Sequence, residues 1–342
     1  MSMLLRKFIL VPGILELHTN VMKIPLFFFG TDFTSTIKQN DEKSMFSSKF
    51  IVLRKVSDIS SITQSARYRD VTICEKPTKQ LFFEKALFPL VKIKLTFEEE
   101  LMPVISCNYA YYRLFKFPVG GIPTPGETLS SLIGLYMIEN YFLPLRASAF
   151  SYKQASTILF GIKGSGKTTF IFDSIINHGC KIVGEDTVIL DHHGNVYGST
   201  YLSSKLENTR KALRDLGVNI KNSDPKNLYE LINSSGASVE EKAKLNTIIF
   251  LKRSSRINTI KEIDVDTAVQ YVMILNRGAF SYEQIPIIQA LLYSDDRYRN
   301  FRKMENEILR KALKDVTCLI IESQSPQKAS ELFFNSSYFK NV

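Results

Sequence analysis

Eight consecutive residues carry most of the chemistry available to this 342-residue chain. Gly161-Ile162-Lys163-Gly164-Ser165-Gly166-Lys167-Thr168 fits G-x-x-x-x-G-K-[ST] in full. The motif follows the apolar Ile158-Leu159-Phe160 and opens a helix-patterned run, which is the strand-to-helix setting it requires. Its glycines let the backbone wrap phosphates closely, and the unpaired N–H groups at the helix start face the anion. Lys167 reaches the β- and γ-phosphates and Thr168 is suited to ligate Mg²⁺. The expected ATP contacts are therefore Gly161, Gly164, Ser165, Gly166, Lys167, Thr168 and Thr169, with Lys167 also catalytic.

A second cluster lies just downstream, where Lys181-Ile182-Val183-Gly184-Glu185-Asp186-Thr187-Val188 sets two adjacent acids inside an apolar segment. Ionised carboxylates resist desolvation unless a cation or hydrogen bonds compensate, and a strand beside a phosphate-binding loop would offer them Mg²⁺. Strand alternation places Gly184 and Asp186 on one face and Glu185 on the other. Gly184 then leaves room beside Asp186, so Asp186 is expected nearest the nucleotide as a catalytic and, with Thr168, metal-binding residue. Glu185 is expected in a supporting catalytic role.

Loop, helix, small-residue turn and acid-bearing strand before a hairpin together resemble the HPr kinase/phosphorylase-like kinases. The family segment R-G-H-R-L-[IV]-[AS]-D-D-x-V stands here as His178-Gly179-Cys180-Lys181-Ile182-Val183-Gly184-Glu185-Asp186-Thr187-Val188. Upstream, Leu143-Pro144-Leu145-Arg146-Ala147-Ser148-Ala149 is similar to the L-P-L-H-A-x-A stretch of relatives found in ribosomal-peptide gene clusters, including lasso-peptide precursor kinases. The likeness spans about residues 128–200, and beyond it only the layout agrees, as in Thr247 to Leu251 followed by Lys252-Arg253. Arg146 stands where those relatives carry His, and Glu185 replaces the first Asp of the pair. The resemblance implies that Glu185 and Asp186 attend to Mg²⁺ and the acceptor hydroxyl, and that the acceptor is a peptide or small protein. Nothing in the sequence supports the reverse phosphorylase reaction.

Other candidates have simpler explanations. His178 ends a helix, where a cation suits the negative dipole end. His192 and His193 lead into a Gly-Asn turn and read as hairpin residues rather than metal ligands. Arg210, Arg214, Arg253 and Arg256 could each supply a cation to a transition state, although a solvated arginine is the commoner case. Phe27-Phe28-Phe29 reads as core.

The elements that must position these residues follow from periodicity and breakers. Residues 30–66 are rich in Ser, Thr, Lys and Asp and read as loops between short strands, while Leu81 to Phe97 reads as β. Pro123-Thr124-Pro125-Gly126 marks a boundary, after which Glu127 to Tyr141 has helical spacing. Thr157 to Phe160 is expected as a buried strand, Gly166 to Asn177 as a helix closed by Gly179, and Lys181 to Leu190 as one strand leading into the His193-Gly194-Asn195 turn. That succession is a βαβ unit. Lys205 to Leu216, Val265 to Leu275 and Tyr298 to Leu313 are expected as helices, and Thr247 to Leu251 and Leu319 to Glu322 as strands. No repeat or heptad run is present.

Composition supplies the outer bounds. Forty-four Lys+Arg against 34 Asp+Glu give a net charge of +10, and 44% hydrophobic residues with 23% charged exclude disorder as the main state. At roughly 100–200 residues per domain the length predicts two domains. The fold class expected is α/β: a P-loop kinase domain of the HPr kinase-like type over 126–342, preceded by a β-rich accessory, substrate-docking domain over 1–125. Four scattered cysteines make no zinc scaffold and read as free buried thiols in the cytoplasm. The apolar stretch after Arg6-Lys7 is interrupted at Pro12-Gly13, and no window suits a bilayer span, so no membrane partner is expected. The basic residues are spread thinly, which disfavours nucleic acid, and a homo-oligomer is compatible with the sequence. The function these features imply is transfer of the γ-phosphoryl group of ATP·Mg²⁺ to a Ser or Thr hydroxyl. Its rival is a nucleotide-dependent switch or ATPase module without a phosphoacceptor, which would carry the same loop.

Overall fold

A computed structural model describes residues 4–33, 44–54, 56, 65–75, 79–85, 91–97, 102–114, 122–199, 211, 213–214, 216, 238–280 and 282–340. The chain is mixed α/β and divides into two compact units, one formed by 1–140 with 280–301 and the other by 141–279 with 302–342. The division therefore differs from the expected 1–125 and 126–342. The helix after the Pro-Gly cluster belongs to the first unit, and so does a late excursion of the chain.

The first unit is built on an eight-stranded sheet, with β1 (Arg6–Val11), β2 (Leu15–Thr19), β3 (Phe46–Leu53), β4 (Ser65–Tyr68), β5 (Val71–Cys74), β6 (Gln80–Lys85), β7 (Val91–Thr96) and β8 (Val104–Asn108) in the order β1-β2-β3-β8-β7-β6-β5-β4. Phe-Ser-Ser-Lys-Phe-Ile-Val-Leu in β3 and Val-Lys-Ile-Lys-Leu-Thr in β7 alternate buried and half-buried positions, as strands covered on one face require. The apolar stretch after Arg6-Lys7 forms β1 and the start of its turn into β2, and Phe27 and Phe29 are core, as the sequence suggests. A short helix α1 (Tyr109–Leu114) precedes α2 (Pro125–Glu139), which starts at a capping box: the Glu127 N–H donates to Thr124 Oγ1 at 3.2 Å and the Thr124 N–H to Glu127 Oε2 at 2.9 Å. α2 is buried on most of its circumference, so it needs partners beyond the sheet. The 280–301 excursion provides them: the Tyr282 ring lies where a Cβ on Gly134 would stand, and Phe280 meets Phe28 edge-on at 5.0 Å. Asp295 also accepts from Lys79 at 3.1 Å and from Arg297 at 2.8 Å. These contacts explain why the unit reclaims chain from so late in the sequence.

The second unit contains a nine-stranded mixed sheet: β9 (Phe142–Leu145), β10 (Ser148–Tyr152), β11 (Ala155–Phe160), β12 (Lys181–Gly184), β13 (Val188–Asp191), β14 (Asn195–Gly198), β15 (Lys242–Arg253), β16 (Thr259–Glu262) and β17 (Thr317–Ser323). β11, β15 and β17 run parallel and adjacent, so their carboxyl ends fall side by side. Helix α3 (Lys167–His178) joins β11 to β12, but β10 lies between those two strands and is antiparallel to both. The expected βαβ unit is therefore split. Phe170 and Ile171 of α3 pack with Phe150, Phe333 and Phe334, the last two from the helix Pro326–Phe334. α3 stops where Gly179 adopts φ +67°, as the sequence predicts.

Later elements match their expected positions with longer ends: Val265–Ala279 is helical and β15 and β17 extend beyond the predicted cores. The helix expected over Tyr298 to Leu313 is two, Asp296–Arg299 and Phe301–Ala312. Most of 205–216 lies outside the described residues. Cys74, Cys107, Cys180 and Cys318 are free and buried. Among the described residues no helix is long and apolar enough to cross a membrane.

Candidate functional site

The glycine-rich loop leaves β11 at Phe160, whose ring stacks on Phe250 of the neighbouring β15 at 5.5 Å. Gly164 and Gly166 take φ of +83° and +98°, conformations open to glycine and strained for other residues. A Cβ on Gly166 would also press on the Pro326 ring, with its Cβ 2.7 Å away, so the loop is seated against the start of the Pro326–Phe334 helix. Gly166 is the N-cap of α3 and supplies no side-chain cap, leaving first-turn N–H groups without that partner. Ser165 is buried with an Oγ that has no hydrogen-bond partner. The Lys167 ammonium folds back on the loop, donating to the carbonyls of Gly161 at 2.7 Å and Ile162 at 3.4 Å. Burial pulls its pKa below the usual lysine range; Asp186 opposes that shift, Arg146 adds to it and Glu185 opposes it.

The acid pair corrects the facing argument. β12 ends at Gly184 and β13 begins at Val188, so Glu185, Asp186 and Thr187 form a bend between two strands and alternation does not apply. Asp186 takes φ +71°, a left-handed conformation that Asp tolerates better than most residues. The consequence is a reversal. Glu185, 3% exposed, points at the glycine-rich loop, where its Oε1 accepts from Thr168 Oγ1 at 3.1 Å. Asp186 is the partner of Arg146, whose guanidinium donates to Asp186 Oδ2 at 2.7 Å and to Thr187 Oγ1 at 3.1 Å. Gly184 does not leave room for a ligand either. A Cβ there would meet Val188 Cγ1 at 2.7 Å and Gly198 Cα at 3.2 Å, so its missing side chain is required by packing under the bend.

Three residues outside the expected site, Ser148, Arg146 and Asn276, complete the arrangement; of these only Arg146 stands out in the sequence, by the resemblance. Ser148 Oγ accepts from the Asp186 N–H at 3.3 Å and so holds the bend from β10. Arg146 lies between β9 and β10. Its backbone N–H donates to Asn276 Oδ1 at 3.3 Å, and Asn276 Nδ2 donates to the Pro144 carbonyl at 3.0 Å. Asn276 is 4% exposed in the helix Val265–Ala279, and both ends of its amide are spent on the backbone that presents Arg146. A polar residue on the buried stripe of an otherwise amphipathic helix is the signal that could have found it.

The structure thus brings Lys167, Thr168, Glu185, Asp186 and Arg146 together. Thr168 and Glu185 are the pair suited to share a divalent cation, while Asp186 is engaged with a guanidinium. The remaining candidates lie elsewhere or serve the fold. His178 stacks on Phe334 at 3.7 Å with Asp173 at 3.8 Å, and burial lowers its pKa. His192 and His193 sit in the β13–β14 hairpin, whose turn is held by Asp191: Oδ1 accepts the N–H groups of His193 at 2.9 Å and Asn195 at 2.8 Å. Arg214, Arg253 and Arg256 are exposed, and Arg210 lies outside the described residues. Set against known proteins, the chain matches no family model and no curated protein.

Proposed function

We propose that the second unit binds ATP with Mg²⁺ and transfers the γ-phosphoryl group to a hydroxyl acceptor, a Ser or Thr of a peptide or small protein. The observation that carries the reading is the Thr168–Glu185 hydrogen bond: the hydroxyl that ends the G-x-x-x-x-G-K-T motif is held by a buried carboxylate from the next strand end. A neutral protein interior has little reason to keep that acid unless a cation shares it.

The residues fit the nucleotide. Ser165 Oγ without a partner, α3 without a side-chain cap and Lys167 spent on loop carbonyls are polar groups that a phosphate chain would satisfy. Gly161, Gly164, Ser165, Gly166, Lys167, Thr168 and Thr169 would hold the phosphates, and Thr168 with Glu185 the Mg²⁺. When bound, ATP and Mg²⁺ supply the transferable phosphoryl group and neutralise the charge that develops on it. The protein's part is placement. Lys167 exchanges its carbonyl partners for phosphate oxygens, Glu185 keeps Thr168 oriented, and Asp186, fixed by Arg146 and Ser148, is the carboxylate left to orient the acceptor hydroxyl. A second carboxylate fixed beside the first favours transfer to an acceptor over simple occupancy. The first unit, whose open sheet ends in β1 and β4 and which carries no nucleotide motif, is the candidate for docking an extended peptide against one of those edges.

The test follows radiolabelled γ-phosphate from ATP in the presence of candidate acceptor peptides containing Ser or Thr. Label on the acceptor supports the kinase reading. Label appearing only as free phosphate, at a rate no peptide changes, overturns it in favour of an ATPase or switch.

A further inference from the structure

Resting on the nucleotide reading above and deepening it, one feature of the same site concerns what distinguishes the donor from its product. Arg146 is not part of the glycine-rich motif, yet contacts carry it there in two steps: Thr168 Oγ1 bonds Glu185, and the adjacent Asp186 bonds Arg146 at 2.7 Å. Arg146, Asp186 and Glu185 thus stand in one connected group with Thr168, the residue next to Lys167. Arg146 is also held in advance. Asn276 pins the backbone that leads into it, at Pro144 and at the Arg146 N–H, with both ends of a buried amide, and Thr187 Oγ1 and Asp186 Oδ2 fix its fork. Arginine matches phosphate through a planar set of five donors, and a guanidinium can serve a carboxylate along one edge and a phosphate along another.

We propose that Arg146, anchored on Asp186, binds the terminal phosphoryl group of the donor, so that the site prefers a nucleoside triphosphate to the diphosphate. Lys167 and the loop then grip the inner phosphates, which both nucleotides share, and Arg146 reads the one that leaves. The competing explanation is that Arg146 merely ties Asp186 to the end of β9.

Titration of the full-length protein with ATP and with ADP, each with Mg²⁺, separates the two. Wild type is expected to bind ATP more tightly than ADP. In Arg146→Gln the affinity for ATP should fall about 10–100-fold while that for ADP stays within about threefold, the loss expected for charge-assisted hydrogen bonds. Arg146→Lys, which keeps the charge without the fork, should fall between. The double variant Arg146→Gln/Asp186→Asn also removes the acid that has lost its guanidinium, protects against loss of folding, and should still lack the ATP preference. Equal weakening of ATP and ADP, or a preference that returns in the double variant, overturns the assignment and leaves Arg146 as a tether. Wild type that binds ATP and ADP equally also overturns it while leaving the donor site standing. Wild type that binds neither nucleotide removes the donor reading, and this proposal with it.

Discussion

Replacing Glu185 by Gln is the most direct probe of which acid serves the metal. The amide is nearly isosteric and its oxygen can still accept from Thr168, so the 3.1 Å contact survives and the loop keeps its shape. What disappears is one negative charge, buried to 3% exposure, that Thr168 would share with Mg²⁺. Between a unit charge and a divalent ion about 4 Å apart, an effective dielectric of about 20 gives roughly 8 kcal/mol. Water retained around the metal would reduce that figure, which brings it to the loss of about 10²–10³ in rate, or roughly 2.7–4 kcal/mol, typical of removing one preorganised electrostatic stabiliser. Folding should not suffer, because a buried amide costs less to desolvate than a carboxylate. The assay is ATP turnover and nucleotide titration, each with and without Mg²⁺. In Glu185→Gln the Mg²⁺-dependent part of ATP affinity should vanish while metal-free nucleotide binding stays within about threefold. Asp186→Asn should keep the Mg²⁺ effect on binding and lose transfer. If Asp186→Asn abolishes the Mg²⁺ effect and Glu185→Gln retains it, the bend between β12 and β13 has been misjudged and alternation was the better guide.

Three further outcomes follow from the same contacts. Lys167→Ala should lower turnover by about 10²–10³ without lowering the melting temperature, since the ammonium it removes is half-buried and costly to desolvate; unchanged turnover contradicts the loop's role. Gly166→Ala places a side chain at φ +98° and against Pro326, and the left-handed conformation alone costs roughly 1–2 kcal/mol, so denaturant unfolding should show a loss of at least that size. In the first unit, burial raises the Asp295 carboxyl, but hydrogen bonds from Arg297 and Lys79 outweigh it and hold the pKa at about 2, against an ordinary 3.8. A depressed carboxylate stabilises above its unfolded pKa and loses that contribution as pH falls through the folded one. Asp295→Asn should therefore cost roughly 2 kcal/mol at pH 7, with the gap from wild type closing between about pH 4 and pH 2; a gap that stays constant over that range refutes the ion-pair account.

The parts of the fold legible in the sequence were those fixed by neighbours along the chain. Gly179 after a helical run, Gly194 in a hairpin turn and the strand before the glycine-rich loop each have local causes, and each stands where the sequence puts it. The domain division failed because its cause is not local. The Pro123-Thr124-Pro125-Gly126 cluster reads as a boundary, yet Thr124 there is the cap of a helix almost wholly buried in the first unit. That helix needs Tyr282 and the chain around it, more than 140 residues later, and no pattern within a window of 15 residues can announce such a partner. The split βαβ unit has the same origin. β10 precedes the loop in sequence and inserts between β11 and β12, which periodicity around the loop cannot show.

The site shows the same division at the scale of one residue. Motif spacing singles out Lys167 and Thr168, the apolar segment around the two acids singles those out, and the structure places all four close together. Which acid faces the loop depended on whether residues 184–186 were extended, and that turned on packing: Val188 and Gly198 close over Gly184, end the strand, and turn the chain through the positive φ of Asp186. Once the chain bends, Glu185 swings to Thr168 and Asp186 to an arginine from a strand end about 40 residues earlier. An arginine at this strand end has a physical consequence that no spacing rule contains. A guanidinium does not lose its charge in the accessible range, so Asp186 keeps its counter-charge at every pH at which the protein stays folded. Transfer that depends on this pair should accordingly show no step near pH 6–7, where a histidine in its place would impose one.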